Sequence, residues 1–176
     1  FVSQYNGFTI ELPAESCQYV MTPAAPAMGV GVWAESALNE YGVSISATES
    51  IYGGENLLKY DPYVPNGVAE ESIPTVVIPY VKTAREGIAR LGAIVTEYGS
   101  AEGNGVVIAD DTEAWYIEIY SGHHWLAVKV PDDKAAVIAN DAMIGCADIG
   151  DADNVLASPD FWQLAEDNGF LVRVNG

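Results

Sequence analysis

Apolar and polar positions along this chain alternate with a period of two in some stretches and follow a helical period in others. Phe8 to Leu12 and Cys17 to Thr22 are short apolar stretches on either side of a turn at Pro13-Ala14-Glu15, and they predict two strands. Thr22 to Gly29, with two prolines and a glycine, predicts a loop. From Gly42 to Thr48, Val43, Ile45 and Ala47 alternate with Ser44, Ser46 and Thr48, which predicts a half-buried strand. Turn residues from Tyr52 to Gly67 predict a long loop, and loops of that length inside a domain often carry function. The period then becomes helical from Glu70 to Tyr98. Ile73, Val76, Val77, Tyr80 and Val81 share one face, and Ala84, Ile88, Leu91, Ile94 and Val95 share another. Pro79 opposes a continuous helix. Thr83 with Glu86 three residues later forms a capping box, so a second helix starts at Thr83 and ends at Gly99.

Period two returns at Asn104 to Asp110, Glu113 to Tyr120 and His124 to Val130, with hairpin turns at Asp110-Asp111-Thr112 and Ser121-Gly122. A further strand is predicted at Ala135 to Ala139. Asp148 to Asn154 is an acidic loop, and Ser158-Pro159-Asp160 opens a last helix ending near Gly169. Trp115, Tyr116, Trp125, Phe161 and Trp162 are expected in the core or in cross-strand pairs. Strands, helices, antiparallel strands and a helix make an α+β pattern. At 176 residues the chain is one domain or part of one.

Charge narrows the partners. With 25 acidic and 7 basic residues the net charge is −18, a surface that repels phosphate, so nucleic acid is not an expected partner. No apolar run reaches the roughly 20 residues that cross a bilayer, and no membrane association is expected. Cys17 and Cys146 lack the spacing of a disulfide framework or a metal site, and both are expected to be reduced and partly buried. Asp148, Asp151 and Asp153 lack the EF-hand pattern. No metal site and no cofactor is expected.

Several motifs recur in a fixed order: Phe8-Thr9-Ile10-Glu11-Leu12-Pro13, the run from Asn39-Glu40 to Glu49-Ser50, Ile78-Pro79-Tyr80 through Arg85-Glu86-Gly87, Glu113 to Glu118, Gly122-His123-His124-Trp125, Val130-Pro131-Asp132-Asp133, and Ser158-Pro159-Asp160. On these the chain resembles the bacterial cysteine dipeptidases, N-terminal-nucleophile hydrolases related to penicillin V acylase and bile salt hydrolase. The resemblance implies an αββα sandwich, incomplete here. It also implies a thiol-dependent dipeptidase that cleaves short peptides through an acyl-enzyme. In such enzymes the α-amine of the first residue acts as the base for its own side chain, which Phe1 cannot supply. The nucleophilic cysteine is therefore expected upstream of Phe1, and residues 1–176 are expected to be an internal segment of a larger enzyme, inactive alone.

Within the segment the resemblance places an oxyanion-hole Asn at Val137-Ile138-Ala139-Asn140-Asp141, making Asn140 the catalytic candidate. The plainer reading is that Asn140 ends a strand or makes an Asx turn. Where the acylase relatives carry a second oxyanion Asn, this chain has Glu49. A carboxylate cannot stabilise an oxyanion, so Glu49, with Thr48, is a substrate-binding candidate facing the free amine of a dipeptide; the alternative is a solvated acid at a strand end. His123 and His124 are further substrate-binding candidates, expected to point to opposite faces of a strand. A dyad of Cys146 with a histidine has no supporting signature. Other readings are an acylase of the penicillin or bile-salt class and a non-catalytic remnant or binding domain. A cytoplasmic location and a homo-oligomer are expected, the latter from unpaired sheet edges.

Overall fold

Alternation of the kind seen at Val43–Ala47 places one side chain in two on each sheet face, and the computed structural model, which describes residues 1–24 and 33–174, builds one sheet from that pattern. Seven strands, β1 (Tyr19–Pro23), β2 (Ala34–Asn39), β3 (Ser44–Glu49), β4 (Asn104–Ala109), β5 (Ala114–Ile119), β6 (Trp125–Lys129) and β7 (Val155–Ala157), lie side by side in chain order, every pair antiparallel. Between β3 and β4 run α1 (Glu55–Leu58), α2 (Ile73–Val77), a single 3-10 turn (Ile78–Tyr80) and α3 (Ala84–Tyr98). After β7 comes α4 (Phe161–Asp167).

One sheet face carries the core. Ile45, Ala47, Val106, Ile108, Trp115, Ile117, Ile119, Trp125 and Ala127 pack there against Ile73, Val76, Val77, Ile88, Leu91 and Val95 from α2 and α3. The helical face expected from the sequence is thus the buried one. Thr83 caps α3 by accepting from the Glu86 backbone N–H at 3.1 Å, while the Glu86 carboxylate takes the Lys82 N–H at 2.7 Å, one residue earlier than in the usual box. Gly99 ends the helix at φ +79°, a conformation that favours glycine. On the sheet side of α3, a Cβ on Gly92 would run into the Trp125 ring and one on Gly87 would come within 2.9 Å of Ile108, so both glycines set the helix–sheet distance.

The other face is uneven. Over β5 and β6 it is closed: Tyr116, Glu118 and Leu126 are buried. Over β1 to β3 it is open, with Val20 and Leu38 exposed beside Ser46 and Thr48. The described residues thus form an α+β pair of layers with a single seven-stranded sheet, and no second sheet covers the open face among them.

Four expectations change. Ala135 to Ala139 is not a strand: the edge of β6 is taken by Val155–Ala157, and the run, with Val137 88% exposed, has no partner. Phe8 and Ile10 are buried as expected, but their backbone pairs with the chain's first residues, through the Val2–Thr9 bridge and the bond from Ile10 N–H to the Phe1 carbonyl, and not with the sheet. Phe161 and Trp162 are half-buried, outside the core. Of the loop expected at Thr22 to Gly29, residues 22 and 23 belong to β1, and 25–29 lie outside the described residues.

Candidate functional site

Asp61 gathers four hydrogen-bond donors. It lies in the long loop before α2, is 8% exposed, and faces the β5–β6 turn. Its Oδ2 accepts from Ser121 Oγ at 2.7 Å and from the His123 backbone N–H at 2.6 Å. Nδ1 of His124 lies 2.7 Å from the same oxygen, and Nδ1 of His123 lies 2.8 Å from Oδ1. An ionised carboxylate only accepts, so both imidazoles carry their proton on Nδ1 and leave Nε2 to act outward. Burial alone would raise the Asp61 pKa; the bonds from His124, His123 and Ser121 outweigh it and hold the carboxyl well below its usual range. The two histidines do not point to opposite faces. They precede β6 in a bend, and both turn to one carboxylate.

His124 also borders an apolar cavity of about 210 Å³, lined by Leu57, Tyr120, Phe161, Trp162 and Phe170. Beside it Glu118, fully buried on β5, accepts from the Tyr120 hydroxyl at 2.5 Å and from the backbone N–H groups of Met143 and Ile144, the latter at 3.2 Å. Burial and the Glu118 charge push both the Tyr116 and Tyr120 hydroxyls up. Glu118 thereby pins the irregular segment that carries Asn140 onto the sheet. Asn140 itself is exposed, in that segment and not at the end of a strand.

Glu49 and Thr48 are exposed at the end of β3. The Glu49 N–H donates to Glu70 Oε2 at 3.1 Å, and the Glu70 N–H donates to Glu102 Oε1 at 2.8 Å. Oxygens of the three carboxylates lie within 4.8 Å of one another, a spacing that could hold a metal ion. Burial, then mutual repulsion, pushes the Glu70 and Glu102 carboxyls up. The structure thus groups Glu49 with Glu70 and Glu102, and His123 and His124 with Asp61, in two separate assemblies.

Among the described residues neither thiol is hydrogen-bonded to a base. Cys17 is half-buried and its Sγ donates to the carbonyls of Ile78 and Pro79, at 3.5 and 3.2 Å. Cys146 is exposed, not partly buried as expected, and both are free. No hydrogen bond joins either thiol to His123 or His124, so no Cys–His dyad forms among the described residues.

Sequence reasoning missed Asp61, Glu70 and Glu102, and placed Glu118 only within the motif from Glu113 to Glu118. Only Glu118 had a signal: its place in an apolar alternation makes a buried acid, which needs donors.

Comparison with known proteins agrees on one kinship. The family model described as "Peptidase family C69" matches residues 1–176. A "Probable dipeptidase" of Latilactobacillus sakei is 46% identical over 168 residues, covering 96% of this chain and 35% of the relative. A "Probable dipeptidase B" of Streptococcus pyogenes serotype M1 is 46% identical over 171 residues, 97% of this chain and 34% of the relative. A "Dipeptidase" of Bifidobacterium longum is 38% identical over 187 residues, 99% of this chain and 34% of the relative. The chain spans about a third of the length of these curated relatives.

Proposed function

Because the chain belongs to peptidase family C69, we propose that it is one wall of a cysteine-type dipeptidase whose nucleophile is an N-terminal cysteine on residues outside this chain. The cysteine sulfur attacks the peptide carbonyl carbon, the amine leaves with a proton, and water hydrolyses the resulting thioester. The observation that carries the reading is the 46% identity, over nearly the whole chain, to relatives named as dipeptidases. That no base is hydrogen-bonded to Cys17 or Cys146 among the described residues supports a nucleophile elsewhere.

In this reading the open face over β1 to β3 receives a second antiparallel sheet, completing the αββα sandwich of N-terminal-nucleophile hydrolases. Its exposed Val20 and Leu38 support that role. Asn140 donates its amide to the oxyanion, which needs its exposed segment to be drawn against the rest of the enzyme. Glu49, beside Thr48, meets the free amine of the dipeptide. His124 contacts the substrate at the rim of the apolar cavity, which takes a side chain, and His123, held by the same Asp61 carboxylate, is a second substrate contact. The enzyme works in the cytoplasm as a homo-oligomer.

The test is made on the longer protein containing this chain. Asn140→Ala should lower kcat on a dipeptide by about 100-fold, the scale of one oxyanion donor. Glu49→Gln should raise KM with kcat little changed. Unchanged kinetics in both variants would remove the assigned roles.

A further inference from the structure

Three carboxylates crowd one end of the β3–β4 ladder with no cation to balance them. Glu49 closes β3, Glu102 stands two residues before β4, and Glu70 precedes α2. Among the described residues, no Lys, Arg or His forms an ion pair with any of the three. Their field reaches the neighbouring phenols. The Tyr5 hydroxyl is pushed up first by Glu102, then by burial and by Glu49, and the Tyr63 hydroxyl by burial and by the same two charges.

A second observation comes from a neutral residue. Asn104 pairs directly with Glu49 across the ladder, so the two side chains project from the same face as neighbours. It is fully buried, and its amide hydrogen-bonds Glu102. Asn104 is therefore flanked by Glu49 and Glu102, yet its Oδ1 has no partner. Leaving a buried acceptor unpaired costs about 1–3 kcal/mol, which a ligand at this spot would recover. Three carboxylates and one amide oxygen are the donor set of a hard cation.

Two kinds of cation suit carboxylates this close together. Oxygens that bind a divalent ion at about 2.4 Å lie no more than about 4.8 Å apart. Oxygens around a protonated amine at about 2.8 Å lie about 4.6 Å apart. Carboxylate oxygens of Glu49, Glu70 and Glu102 that lie within 4.8 Å of one another suit either.

We infer that Glu49, Glu70 and Glu102, with Asn104, form a cation-binding site of this chain, filled by a divalent metal ion or by the ammonium group of a small amine. Glu49 is then one of three carboxylates acting together. The site stands on its geometry and not on the peptidase reading, since it requires binding and no turnover.

Titration calorimetry on the 176-residue chain decides it, with calcium chloride in one arm and, in the other, alanyl-alanine against its N-acetyl derivative. A saturable calcium signal, with Kd on the order of 10⁻⁴ to 10⁻³ M, supports the site with a metal as its ligand if Glu70→Gln/Glu102→Gln weakens it at least tenfold. Binding of the free but not the acetylated dipeptide, lost in the same variant, supports it with an ammonium ligand. Glu49→Gln, at an exposed position, repeats the test should the double variant fold poorly. Absence of both signals overturns the inference. So does calcium binding that the substitutions leave unchanged, because the −18 surface would then be binding the ion elsewhere.

Discussion

Replacing Asp61 by Asn should unfasten the long loop from the β5–β6 turn at a cost that the structure sets. Four donors converge on this carboxylate: Ser121 Oγ, the His123 N–H, and Nδ1 of each imidazole. An amide offers one acceptor oxygen. With it in place of Oδ2, three bonds survive but lose the charge, at about 1 kcal/mol each when bonds to charged and neutral acceptors are compared. The amide nitrogen then faces His123 Nδ1–H, a donor against a donor, adding about 1 kcal/mol. Half of the His123 share is discounted because its side chain is 42% exposed. The expected loss is about 3.5 kcal/mol, or about 7–14 °C in Tm for a chain of this size. Urea denaturation at pH 7 measures it. The effect is also pH-dependent. The carboxyl is held below its unfolded value of 3.8, so the stabilisation is complete above that pH and fades as pH falls toward the folded value. The native chain should therefore approach the stability of Asp61→Asn in acid. A loss below about 1 kcal/mol, or a difference that does not shrink in acid, would refute the role given to Asp61.

Asp110 gives a second acid-dependent contribution. Burial opposes its ionisation, but donors from Ala84, Thr112 and Glu113 prevail and hold it at about 2. Its stabilisation is present above 3.8 and lost as pH falls through about 2, so Asp110→Asn should flatten the acid limb of the stability curve; an unchanged limb counts against this. Gly92→Ala should cost about 1–3 kcal/mol, because the new Cβ meets the Trp125 ring; a neutral or stabilising result in thermal melts would show that the α3–sheet spacing is not fixed by this contact. The chain should self-associate through its open sheet face, where Val20 is 68% and Leu38 46% exposed, and light scattering at a monomer mass would contradict that.

Much of the fold was legible because packing followed pattern. The alternation at Asn104 to Val130 became three adjacent strands, and Thr83 with Gly99 bounded α3 as their side chains and φ require. Patterns failed where a partner decides the outcome. Ala135 to Ala139 has strand composition, but the edge it would use is filled by β7, a three-residue strand too short to show a period. The site was less legible than the fold. Glu49 was visible at a strand end, while Glu70 and Glu102 reach it from 21 and 32 residues apart along the chain path through Glu70. His123 and His124 stood out, but the carboxylate they share lies in a loop whose local sequence gives no reason for an Asp to be buried. Contacts between distant segments leave no local period to read.

The most direct measurement is the rate at which the longer protein containing this chain cleaves a free dipeptide, compared with N-acyl substrates such as penicillin V or a conjugated bile salt. Rapid release of amino acids from the free dipeptide, with the N-acyl compounds spared, is the expected result. Equal or faster cleavage of the N-acyl compounds would contradict the assignment.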